Sequence, residues 1–265
     1  MRRNSQTQAV QITGAIELIG FGLLVVLLTL SLAHAQSPLV AELHTVATSY
    51  HQDPSQLDRI RDGLERIIKT DSHIANLVAL TRVSFLWGDV RAISREDKLA
   101  AYDRGRQVAK RVVELAPRNV EGRFWYATNT ARWGQIKGIV RSLFLLPTVQ
   151  EEIRILLRLD PQFTPIYALA GNVYYEVPAW LGGDVKKAEE MFRKGLELDP
   201  HFTHMRLGLG KTLLKQGRVA EARQKLQAVL EETRPSNPAD WTLKDVKEAR
   251  QWLEAITAKS APQEG

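Results

Sequence analysis

No stretch of this chain shows a convincing alternation of apolar and polar residues, so no strand is predicted. Apolar positions recur at helical spacing instead, as in "WTLKDVKEARQWLEAI" at 241–256. Helix ends repeat in kind: "VVELAP" closes at Pro117, "LLRLDP" at Pro161, "GLELDP" at Pro200 and "VLEETRP" at Pro235. The intervals are 44, 39 and 35 residues, each longer than the tetratricopeptide period of about 34. Insertions in a helix-turn-helix repeat fall in its turns, and the spacing of small residues locates them. Gly210 precedes Ala222 by 12 residues, whereas the equivalent Gly171 and Ala188 are 17 apart, the surplus being "VPAWL".

The prediction is an all-α, tetratricopeptide-like solenoid of antiparallel helix pairs with expanded turns. N-terminal helices occupy 36–94, repeats 95–235, a capping helix 236–258 and a disordered tail 259–265. "SHIANLVALTRVSFLWG" and "REDKLAAYDRGRQVAKRVVELAP" read as the two helices of an early unit. "RWGQIKGIVRSLFLLP" reads as an expanded connection, followed by a capping box, "TVQE" at 148–151, that opens the helix before Pro161. Pro165 suits a first helical position and Asp184 a helix cap, with Gly182 or Gly183 at positive φ in the turn before it.

The first residues stand apart from this pattern. Arg2 and Arg3 precede an apolar run at 18–32, then Ala33-His34-Ala35, which describes a signal peptide over 1–35 cleaved after Ala35 and a periplasmic or secreted protein. The run is shorter than the roughly 20 residues a spanning helix needs, and a retained segment would be the only membrane contact expected. Loss of Arg2, Arg3 and Glu17 takes the net charge from +6 to +5. The charges are interleaved with no basic run, which argues against nucleic acid.

The chain has no cysteine, which excludes disulfides, thiol catalysis and Cys-based zinc sites. "GLGKT" at 208–212 lacks the earlier glycine of a phosphate loop, Met205 standing there, and it falls within a helix. His201 and His204 share a helical spacing but have no third ligand near them, and no Gly-x-Ser-x-Gly elbow occurs. No catalytic, metal or cofactor residues are assigned. The candidate ligand- or partner-binding residues are six aromatics in two consecutive units: Trp125, Tyr126, Trp133, Tyr174, Tyr175 and Trp180. Trp125 and Tyr174 sit on packing faces, where inter-helix core is the stronger reading.

"FWYATNTARWG", "LLRLDPQF" and "AGNVYYEVPAWLGGDVKKAEEMFRKGLEL" together resemble the T-component family of TRAP (tripartite ATP-independent periplasmic) transporters, over about 120–230. The regulator-of-microtubule-dynamics proteins are a more distant likeness. The first resemblance implies a periplasmic, non-enzymatic scaffold that engages a solute-binding subunit and handles an apolar ligand. A general assembly factor for a cell-envelope complex is the alternative. Family members are often lipid-anchored, and this chain has no cysteine to carry a lipid.

Overall fold

A computed structural model describes residues 37–260. The expected signal peptide and the end of the expected tail lie outside the described residues. The described chain is entirely helical. Its elements are α1 (Pro38–Ser49), α2 (Gln56–Ile67), α3 (Ile74–Val90), α4 (Arg95–Leu115), α5 (Val120–Lys137), α6 (Ile139–Leu159), α7 (Pro165–Glu176), α8 (Val185–Leu198), α9 (Thr203–Lys215), α10 (Val219–Leu230) and α11 (Val246–Ser260). One helical turn, Pro238–Asp240, and a widened turn, Trp241–Asp245, lead into α11. No helix among the described residues is long and apolar enough to cross a membrane.

Local chemistry sets several boundaries. Ser94 accepts from the Asp97 N–H to open α4, and Asn119 accepts from Gly122 to open α5. Pro165 takes the first position of α7, where its missing N–H costs nothing. Asp184 accepts from the backbone of both Lys186 and Lys187 to open α8, as the sequence suggests. Before it, Val177 ends α7, Ala179–Leu181 makes a single tight turn, and Gly182 adopts φ +96°.

The connection between α5 and α6 differs from expectation. The ten-residue link is absent, and Gly138 alone, at φ +111°, turns the chain from one helix into the next. Thr148 therefore lies mid-helix and opens nothing; the capping-box reading is corrected. The helix runs through Pro147, which has no N–H to give the Leu143 carbonyl. Leu143 is half-exposed and Pro147 exposed, so solvent can serve that carbonyl, while Val149, Ile153 and Leu156 bury the later face. A local capping pattern is outweighed by this apolar continuity.

Packing follows the repeat. Phe192 of α8 is fully buried, and its ring fills the space beside Gly171 of α7 and Gly208 of α9. A Cβ would approach that ring to 2.6 Å at Gly171 and 2.5 Å at Gly208, so one aromatic dictates small residues in two neighbouring helices. The glycine of "GLGKT" is thus explained by helix packing. Only first helices pack on each other across units, α1 on α3, α3 on α5, and α7 on α9, with no comparable packing among the second helices. The first helices therefore share one side of the stack, its inner face.

Candidate binding face

Each first helix brings a polar side chain to the inner face. Asp89 comes from the end of α3, Arg132 from α5, Asn172 from α7, and His204 and Lys211 from α9; Tyr50 lies just past α1. What joins them is the chain's own C-terminal segment. Pro238–Asp240 packs on α1, Trp241–Asp245 on α9, and α11 on α10 and α9. Ala239 is buried in the cluster formed by α1 to α4.

Two polar centres result. In one, Lys244 Nζ lies 3.0 Å from Asp89 and 2.8 Å from Asp240. Asp89 also accepts from Tyr102 Oη at 2.5 Å and from Arg132 at 3.2 Å, while Tyr50 Oη donates to Asp240 at 2.5 Å. Burial alone would raise the Asp89 carboxyl, but Arg132 and Lys244 outweigh it and hold Asp89 below the usual carboxylate range. Burial likewise disfavours charge on Lys244, and Asp240 and Asp89 reverse this, so its ammonium is held more firmly than usual. The tyrosines are pushed the other way, by burial first and then by the carboxylates they meet.

In the second centre, Asp245 accepts from Thr203 Oγ1 at 2.6 Å and lies 3.3 Å from His204 Nδ1. The far nitrogen of that ring meets the Asn172 amide at 3.2 Å. Burial lowers the imidazole pKa, but the bond to Asp245 and its charge win, and the net shift is upward. Two turns along α9, Lys211 reaches Glu248 at 2.8 Å, and Trp252 Nε1 meets the same carboxylate oxygen at 3.4 Å. An open cleft of about 580 Å³ runs beside this segment, lined by Lys244, Lys247, Glu248, Gln251, Trp252 and Ala255.

The six aromatics fall among separate groups of neighbours. Trp125 packs in the core against Phe85 and Phe124, with Arg82 over its ring. Tyr126 is half-buried, and burial raises its phenol. Trp133 sits among three cations, Arg106 at 4.7 Å, Lys137 at 5.4 Å and Arg141 at 5.7 Å. Tyr174 packs against the core of α5 to α10, with Lys187 over its ring. Trp180 is exposed in the turn before α8. Tyr175 meets a member of the inner-face network directly: Lys211 lies 5.5 Å from its ring centre, and Lys215 lies 4.6 Å from it.

His201 pairs with Glu232, which is drawn down to about 2: burial would raise it, but bonds from the Arg234 N–H, His201 and Arg206 prevail. Among the described residues, no group of three His, Cys, Asp or Glu could hold a metal ion. Asp89, Arg132, Asp240, Lys244 and Asp245 escaped the sequence reading. Their only local signal is charge at helix ends, which a solvated surface gives as readily. The arrangement pairs each carboxylate with a cation or hydroxyl of the same chain.

A tetratricopeptide repeat profile matches residues 179–245. Among solved structures, the thermophilic TPR protein TTC0263 of Thermus thermophilus is similar at 20% identity and a TM-score of 0.59, covering 83% of this chain and 96% of that one. MamA from Desulfovibrio magneticus RS-1 is similar at 13% identity and a TM-score of 0.47, covering 79% and 99%. No curated protein matches the chain. The repeat profile and the first structural likeness show an all-α, TPR-like helical-repeat fold, an architecture that generally serves as a non-catalytic scaffold for protein–protein interaction.

Proposed function

We propose that this protein is an exported, non-enzymatic scaffold whose inner face holds an acidic helical segment of a partner protein. The observation that carries this reading is the way its own C-terminal segment occupies that face. Asp245 and Glu248, one helical turn apart, are received by His204 and Lys211 of a single first helix. Tyr175 and Lys215 continue the same face toward α7. A partner helix with carboxylates at that spacing would take the same donors by displacing Asp245 and Glu248, with the Tyr175 ring under its apolar side.

The export signal at 1–35 and the resemblance over 120–230 support placing the scaffold in the periplasm, as an accessory component of a TRAP-type transporter with the solute-binding subunit as partner. The test is site-specific photocrosslinking in intact cells, with the crosslinker at Tyr175 on the inner face or at Glu190 on α8. One dominant adduct from Tyr175, lost on Lys211→Glu plus Lys215→Glu, is the expected result. Identical adducts from both positions would overturn the inner-face assignment. A single inner-face adduct that is not a transporter subunit would retain the scaffold and overturn the transporter role.

A further inference from the structure

The first half of α6 buries little of its apolar surface. Ile139, Val140 and Phe144 are 73%, 79% and 74% exposed, and Leu143 and Pro147 fall on the same side at helical spacing. Large apolar side chains exposed together call for a partner. The opposite side is committed to the fold, since Ser142 and Leu145 pack against Gly134 of α5.

Charge indicates the partner. Residues 133–150 contain no Asp or Glu, and their only charged groups are Lys137 and Arg141. Arg141 lies 5.7 Å from the ring centre of Phe144 and 5.7 Å from that of Trp133, and Lys137 lies 5.4 Å from Trp133. An apolar tip, an aromatic flank and the two cations of this stretch form the pattern of a helix that lies in a bilayer interface, the neighbouring Glu176 being engaged by Gln135 and Asp103 by Arg106. A protein-binding groove would be concave, whereas these residues project from a corner formed by the single-residue turn at Gly138.

We propose that the α6 corner is a peripheral contact with an anionic lipid surface. Ile139, Val140 and Phe144 enter the headgroup region there, and Lys137 and Arg141 meet lipid phosphates. Because α6 is a second helix, this contact is separate from the inner face. It does not depend on the partner proposed above.

The absence of cysteine makes the test direct, because one introduced cysteine carries one label. An environment-sensitive fluorophore is attached to the full chain at Val140→Cys or, as a control, at Glu190→Cys, which is exposed on α8. Vesicles of equal parts phosphatidylcholine and phosphatidylglycerol are compared with pure phosphatidylcholine. The expected result is a blue shift and several-fold weaker iodide quenching at 140 with anionic vesicles alone, no change at 190, and loss of the effect on Lys137→Glu plus Arg141→Glu. Because any binding by the N-terminal apolar run is common to both labels, depth at 140 reports the corner itself. Unchanged quenching at 140 overturns the proposal. So does a label at 140 shielded by an envelope protein while lipid has no effect, which would assign the corner to a protein contact.

Discussion

Tyr50 and Asp240 meet across 190 residues of chain, the phenol donating to the carboxylate at 2.5 Å. Tyr50 is fully buried, and its partner carboxylate also receives Lys244, which continues to Asp89 on α3. The bond belongs to a chain of contacts that fastens the last helical segment onto the first helices.

Tyr50→Phe removes the donor while keeping the ring. It should cost about 1.5–3 kcal/mol, the range for a hydrogen bond to a charged group. In a double-mutant cycle with Asp240→Asn, urea unfolding should show strong non-additivity. Additive losses would mean the two groups act independently.

His204 should make stability depend on pH. Its folded-state pKa is raised above the ordinary 6.5 by Asp245, so the protonated ring stabilises the fold fully below that value and loses this effect as pH rises through the raised folded pKa. The melting advantage of wild type over His204→Gln should therefore shrink as pH rises above about 6.5. An advantage that is constant or grows over that window contradicts the assignment.

The turn before α8 separates two glycines by mechanism. Gly182 holds φ +96°, and Gly182→Ala should cost roughly 1–2 kcal/mol through the left-handed backbone. At Gly183 a Cβ would lie 1.7 Å from the Val177 carbonyl oxygen, a backbone atom held in place by the end of α7. Gly183→Ala should be the more damaging of the two, by thermal melting. Equal effects would show that the turn opens freely.

Arg123 and Glu152 join α5 to α6 with both side chains nearly enclosed, at 2.8 Å. Arg123→Met leaves a buried carboxylate unpaired and should cost about 3–5 kcal/mol. The double variant Arg123→Met, Glu152→Met should recover much of that loss. A double variant less stable than the single one would show that Glu152 stabilises the fold without Arg123 and that the unpaired carboxylate carries no penalty.

The repeat was legible because its signals are local and recur: prolines after helix ends, Gly171 and Gly210 opposite bulky residues, Asp184 beside a glycine turn. The α5–α6 junction was not, since "TVQE" satisfies a cap locally while the buried Val149, Ile153 and Leu156 extend the helix past it. The inner-face network was hidden for another reason. Asp89, Arg132 and Lys244 acquire meaning only when helices far apart in sequence converge, and none of them breaks its local pattern. Of the aromatics, Tyr175 and its lysines came together through α9, a contact that one repeat's sequence does not reveal.

The tie from Tyr50 to Asp240 also bears on how such a chain can change over evolutionary time. A linear array can gain or lose a helical pair and still present valid neighbours at every seam. Here the last segment must land on α1 and α3, so an added or deleted pair would rotate it away from Tyr50 and Asp89. The number of units is fixed by the closing contact, and variation is confined to what lengthens a turn without moving the seam, as the five residues 177–181 do.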